Sequence, residues 1–198
     1  MANTNNRSEL PVVVGVSNKH IHLTKEHFKI LFGEEAEPAL KKAVGQPGQF
    51  ACEEVVDIEG PRGVMKAIRM LGPYRSHTQL ELSKADARKL GLECPIRDSG
   101  KVENTPGFKI IGPKGTVEAA DGAIIAKRHI HFTPADAEKF GVKDGEDVSV
   151  ICGKGGEREL VFNKVLVRVS DKFALEMHVD VEEANAACLK NGDKVFVL

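Results

Sequence analysis

The chain has 198 residues, 41% of them hydrophobic and 29% charged, with a formal net charge of −1. This length admits one large domain or two small ones, and the apolar share can fill a core; a near-neutral chain with no long basic run excludes nucleic acid as the main partner, and no apolar stretch is long enough to span a membrane. Cys52, Cys94, Cys152 and Cys188 form no CxxC pair, which reads as reduced, mostly buried thiols of a cytoplasmic protein.

Residues 1–10 are polar, with neither the apolar run of a secretory signal nor an amphipathic period, and read as a loose tail. Pro11–Val16 is a short β-rich run. Asn18-Lys19-His20-Ile21-His22-Leu23-Thr24 follows it, and Lys127-Arg128-His129-Ile130-His131-Phe132-Thr133 nearly repeats it. Thr24, Ser83, Thr133 and Asp180 align as helix N-caps, whose side-chain oxygen accepts a first-turn N–H. Three residues on stand His27, Asp86, Asp136 and Glu183. The acids suit the positive helix start, and Glu183 approaches a capping box. Phe28/Leu31, Ala87/Leu90, Ala137/Phe140 and Ala184/Ala187 each form one apolar helical face, and Gly33, Gly91, Gly141 and Gly192 stop the helices.

Between these units the chain reads as strands. Val55–Gly63 and Phe108–Gly115 both run into a Gly-Pro-basic-Gly turn. Gly145–Ile151 is a strand, Leu160–Phe162 and Val165–Val169 form a pair around Asn163-Lys164, and Asp193–Leu198 closes the chain. Many short strands with turn signals and short helices predict a mainly β fold of small barrels rather than a doubly wound sheet.

Alternate residues of a strand face one side, so His20 with His22, and His129 with His131, each offer two imidazoles to one metal ion. Two residues before the four caps stand His22, Glu81, His131 and His178; four before stand His20, Gln79, His129 and Glu176. A lone histidine at a strand end is more often hydrogen-bonded or exposed than a ligand. A fourfold register of ligand types reverses that weighting. His20, His22, Glu81, His129, His131 and His178 suffice for two three-residue metal sites with open coordination. His27 and His77 fall outside the register and read as solvent-facing.

Gly15–Leu23, Gln46-Pro47-Gly48-Gln49-Phe50, Leu71-Gly72-Pro73, Gln79-Leu80-Glu81-Leu82-Ser83, Arg128–His131 and Leu175-Glu176-Met177-His178 together resemble the PduL-type phosphotransacylase (phosphate propanoyltransferase) family over residues 12–198. The resemblance implies two small β-barrels, one from 11–18 and 127–198 and one from 19–126, with the active site between them. It implies two zinc ions per chain, His20, His22 and Glu81 holding one and His129, His131 and His178 the other. Arg75 matches the arginine that engages phosphate, and Ser17 is a further substrate-binding candidate. The implied reaction interconverts a short-chain acyl-CoA (propionyl-CoA or acetyl-CoA) plus inorganic phosphate with acyl-phosphate plus CoA. Phosphate would attack the thioester directly, with no serine or cysteine acyl carrier. Zinc is a good thiolate partner, so the His/His/Glu ion suits the CoA sulfur and the three-histidine ion suits phosphate. Two details depart from the family: Lys19 stands where an arginine is more familiar, and the polar tail is unlike the amphipathic extension that sends members into a bacterial microcompartment.

Two rivals share these ligands. A zinc-dependent acyl-CoA thioesterase would use water in place of phosphate, and Arg75 favours phosphate. A non-catalytic metal-binding protein would favour closed sites of four ligands, often cysteines, where these have three each. A cupin-type iron oxygenase would want its acid soon after the histidine pair. Acyl-chain preference and subunit number stay open, a homo-oligomer being compatible with the sequence.

Overall fold

In the computed structural model, residues 7–198 are described. The tail expected over 1–10 therefore falls, for 1–6, outside the described residues; Arg7–Glu9 form one 3-10 turn, and Arg7 donates to the Leu198 carbonyl at 2.6 Å.

Four short helices begin where the repeat marks them: α1 (Lys25–Phe32), α2 (Lys84–Leu90), α3 (Pro134–Phe140) and α4 (Val181–Ala186). Thr24, Ser83 and Thr133 each accept the backbone N–H three residues on. Asp180 accepts from Glu182 and Glu183, and the Glu183 side chain returns the bond in a full capping box. Gly33, Gly91 and Gly141 end the first three helices. The fourth stops short of Gly192. Cys188 takes the left-handed conformation at φ 52°, and Leu189 N–H reaches back to Ala184 O at 2.8 Å, so a non-glycine residue closes α4.

The strands are β1 (Pro11–Ser17), β2 (His20–His22), β3 (Leu40–Ala43), β4 (Phe50–Gly60), β5 (Gly63–Gly72), β6 (Gln79–Glu81), β7 (Ile96–Arg97) and β8 (Phe108–Ile111). Then come β9 (Thr116–Ala119), β10 (Ala123–Ala126), β11 (His129–Phe132), β12 (Asp147–Cys152), β13 (Leu160–Val169), β14 (Glu176–Asp180) and β15 (Lys194–Val197). The chain divides into two compact units: one takes the segment up to Ser17, Gly45–Pro47 and Lys127–Leu198, the other Asn18–Val44 and Gly48–Ala126.

The first unit is a closed barrel in the order β1-β14-β11-β13-β12-β15. Its strands alternate as a filled barrel requires: Val12 and Val14, Ile130 and Phe132, Val165 and Val167, Met177 and Val179, and Val195 and Val197 are buried in one core. The two strands expected around Asn163-Lys164 are instead one, β13. Lys164 has φ 54°, and the β12–β13 register shifts between Val148 and Val150, so the spot is a bulge and the strand runs on.

The second unit is a curled half-barrel sheet, β7-β10-β6-β2-β5-β4-β8-β9, with β3 on β4. Ile21, Ile58, Ile68, Met70, Leu80 and Ile110 are sealed in its core with Phe28 and Leu31 of α1 and Leu90 of α2. Both Gly-Pro-basic-Gly turns link antiparallel strands, β4 to β5 and β8 to β9. They also cap helices. Arg62 N–H donates to Leu90 O and Lys114 N–H to Leu31 O, each at 3.0 Å, satisfying carbonyls at the ends of α2 and α1. Glycine is required for that approach: a Cβ on Gly60 or Gly112 would lie 2.5 Å from the same carbonyl oxygen.

Candidate active site

Both histidine pairs sit in the same local ladder. In the second unit β2 runs antiparallel to β6, with His20 opposite Glu81, Ile21 opposite Leu80 and His22 opposite Gln79. In the first, β11 runs antiparallel to β14, with His129 opposite His178, Ile130 opposite Met177 and His131 opposite Glu176. The middle pairs, Ile21/Leu80 and Ile130/Met177, have no accessible surface and lie in the two cores. Strand alternation therefore sends each outer quartet to the opposite face. The salt bridges repeat as well. Lys19 Nζ meets Asp86 at 3.4 Å and Arg128 Nη1 meets Glu183 at 2.7 Å, each tying the residue before a histidine pair to the helix that follows the partner strand. Both cations are thus occupied away from the histidine face.

His20 Nε2 is 3.5 Å from Glu81 Oε2, and His22 Nε2 is 3.8 Å from Glu81 Oε1. The ligand atoms of the three lie within 4.8 Å of one another, the one set among the described residues with that convergence. Both imidazoles are oriented from behind by carbonyls, His20 Nδ1 lying 2.7 Å from Asn18 O and His22 Nδ1 3.1 Å from Leu71 O. This leaves each Nε2 toward Glu81, the usual orientation of a metal-bound histidine. Gln79 Nε2 donates to Glu81 Oε1 at 2.6 Å and to Ser99 Oγ at 2.8 Å, Ser99 donates to Glu81 Oε1 at 3.2 Å, and Arg75 Nη1 donates to Ser99 Oγ at 3.1 Å. Arg75 thus reaches the carboxylate through one hydroxyl.

Charge follows from this packing. Burial works against the His20 imidazolium, but the charge and hydrogen bond of Glu81 outweigh it and raise its pKa. Burial, then repulsion from His20 and Arg75, lowers His22 to about 3. Burial alone would raise the Glu81 carboxyl, yet His20, His22 and Arg75 hold it well below its ordinary range. At neutral pH the group offers an ionised carboxylate and a neutral imidazole, the forms that bind a metal. An acid and two imidazoles at this spacing fit a divalent ion such as zinc.

The second group gathers rings. The His129 and His131 centroids are 4.7 Å apart, His129 and His178 stack at 5.1 Å, and His131 and His178 are 4.9 Å apart. His129 Nδ1 lies 2.8 Å from Lys127 O, matching His20 on Asn18. His131 is 5% exposed and stacks on Phe173 at 4.0 Å. His178 Nε2 lies 3.0 Å from Glu176 Oε2. Burial would raise the Glu176 carboxyl; the His178 imidazole beside it and the hydrogen bond from Gln46 lower it instead. Three imidazoles gathered on one strand face are a donor set that suits a zinc ion, though their nitrogens do not converge as the ligand atoms of the first group do.

Ser17 ends β1, half-buried and opposite Asp180 in the parallel β1–β14 pair. His77 is exposed as expected. His27 departs from expectation: it is half-buried, with Nδ1 2.7 Å from Thr78 Oγ1, because the first helical turn packs on the loop before β6. Burial raises the Cys52 and Cys94 thiols to about 11 and Cys152 to about 12, leaving them neutral near pH 7. Ser99 carried no signal in the sequence. Glu176 did, through its place four residues before a cap.

A family model described as phosphate propanoyltransferase matches residues 13–190. The phosphate propanoyltransferase of Thermotoga maritima is 52% identical over 192 residues, covering 97% of this chain and 91% of that protein. That of Rhodopseudomonas palustris is 52% identical, covering 94% of this chain and 81% of its own length. That of Salmonella typhimurium is 46% identical, covering 91% and 85%.

Proposed function

Because the chain belongs to the phosphate propanoyltransferase family, an acyltransferase family, we propose that it interconverts a short-chain acyl-CoA plus inorganic phosphate with acyl-phosphate plus CoA, with one zinc ion at each histidine group and both groups serving one reaction. The observation that carries the metal reading is the buried convergence of His20, His22 and Glu81. In the forward direction a phosphate oxygen bonds to the thioester carbonyl carbon, the C–S bond breaks and CoA leaves as thiolate. When bound, zinc supplies Lewis acidity and open positions for the phosphate oxygens and the leaving sulfur. Arg75 offers the guanidinium fork that matches phosphate oxygens, and its bond to Ser99 places that fork beside the first group. Ser99 and Gln79 hold the Glu81 carboxylate still, and backbone carbonyls hold His20, His22 and His129. Neutral, buried Cys52 and Cys152 leave no thiolate there to take the acyl group.

The test is acyl-phosphate formation from propionyl-CoA and phosphate, with zinc measured on the same sample. Two zinc ions and phosphate-dependent CoA release support the reading. CoA release of equal rate without phosphate would make the protein a thioesterase, and an active protein free of transition metal would overturn the metal assignment.

A further inference from the structure

One corner of the second ladder is not used by the reading above. Glu176 stands opposite His131 and two residues before His178, on the histidine face of β14. Its Oε2 is 3.0 Å from His178 Nε2 and accepts a hydrogen bond from Gln46 Nε2 at 2.8 Å. Gln46 is only 3% exposed. The rest of its amide is bound to Ala174, Nε2 donating to the carbonyl at 3.1 Å and Oε1 accepting the N–H at 3.2 Å. Two glycines wall the carboxylate. A Cβ on Gly45 would fall 2.3 Å from Glu176 Oε1, and one on Gly15 would fall 2.8 Å from the same oxygen. Any side chain at either position would drive the carboxylate off His178.

His20, His22 and His129 are oriented by backbone carbonyls. For His178 the group against the ring is this carboxylate, in ion-pair contact with Nε2 at 3.0 Å rather than in hydrogen-bond geometry. A carboxylate bonded to a ligand histidine fixes the ring and raises its basicity. We infer that Glu176, anchored by Gln46, is a positioning residue that sets His178 for cation binding at the second group. The inference rests on the proposal that His129, His131 and His178 hold a cation. It adds two residues outside that ligand set, one of them supplied by the Gly45–Pro47 segment.

The experiment is a zinc titration of chelator-stripped full-length protein in a His22→Ala background, which isolates the second group. Cobalt(II) absorption is recorded as a report on ligand geometry. Adding Glu176→Gln should weaken zinc binding by about 10- to 100-fold, the usual cost of losing such a partner, and change the cobalt spectrum, while the metal-free melting temperature holds. Gln46→Met leaves the carboxylate but removes its anchor and should fall between the two. Unchanged affinity and spectrum in Glu176→Gln would overturn the inference. If Glu176→Gln lowers the metal-free melting temperature, Gln46→Met decides, and parental affinity there overturns it. A wild-type chain that binds fewer than two zinc ions, or a His22→Ala parent that binds none, defeats the two-cation reading itself and the inference with it.

Discussion

Replacing Ser99 by alanine removes one oxygen that serves three partners: it accepts from Arg75 at 3.1 Å and Gln79 at 2.8 Å and donates to Glu81 at 3.2 Å. Arg75 and Glu81 are charged, and a hydrogen bond to a charged group is worth about 1.5–3 kcal/mol. Glu81 keeps its 2.6 Å bond from Gln79, and Gln79 keeps the Gly100 N–H at 2.7 Å, so the carboxylate stays largely in place. The larger loss falls on Arg75, which gives up its one bond to the Ser99 hydroxyl beside the first histidine group. At about 1.36 kcal/mol per decade, one such bond predicts roughly a 10- to 100-fold fall in kcat/KM. Ser99 is half-buried in a loop, where water can replace part of what is lost. A stability cost of about 1 kcal/mol would move Tm by about 2–4 °C in a chain of this size. The assay traps acyl-phosphate as its hydroxamate while phosphate is varied, with Ser99→Thr as the variant that keeps the hydroxyl. Wild-type kcat/KM in Ser99→Ala would refute the argument, as would a loss that Ser99→Thr shares in full.

His22→Ala and His131→Ala should each release about one metal ion per chain and leave the other in place; elemental analysis showing both ions lost from either variant would show that the groups are not separate. Arg75→Lys keeps the charge and loses the bidentate fork, so phosphate KM or kcat should suffer by about 10-fold or more while Tm holds; a parallel loss of stability would make Arg75 a structural residue. Iodoacetamide at pH 8 on native protein should label exposed Cys188 and spare Cys52 and Cys152, which have no accessible surface, as peptide mass mapping would show. The same burial sets a pH dependence. Cys152 is raised from 9.0 to about 12, so between those values the unfolded chain sheds a proton that the native chain keeps. Its contribution is therefore intact below pH 9.0 and lost as pH rises toward about 12. In a Cys152→Ala variant that alkaline loss, followed by denaturant unfolding, should be smaller; an identical slope would refute the assignment.

The helix starts could be read from sequence because they depend on local chemistry. A Thr, Ser or Asp ahead of a periodic apolar face caps its own turn, and all four caps form as expected. The Gly-Pro-basic-Gly turns were equally local. Their second task, capping α1 and α2 through a backbone N–H, depends on which helix packs beside them and leaves no mark on the turn itself. The Asn163-Lys164 step misled for a related reason: a residue with φ > 0 serves a turn or a bulge, and only the partner strand β12 decides between them. Strand alternation brought the histidine pairs to one face, and register alignment pointed to Glu81 and His178. Ser99 and the anchoring role of Gln46 come from loops far away in sequence, where no period operates.

The two ladders carry the same formal charge in a different order. In β6 the outward pair reads amide then carboxylate, Gln79 and Glu81; in β14 it reads carboxylate then imidazole, Glu176 and His178. A dication seated on either face, with the rings neutral, would leave one net positive charge over the quartet. In the first the compensating oxygen would belong to the ion's own shell; in the second it would stand one ring away. Coulomb attraction falls with distance, so the first ion would be the better neutralised and the second would present the stronger bare field. With an ion on each face, moving one carboxylate by two residues along a strand would make a repeated scaffold into a pair of unequal Lewis acids, the milder suited to a departing thiolate and the harsher to an incoming phosphate.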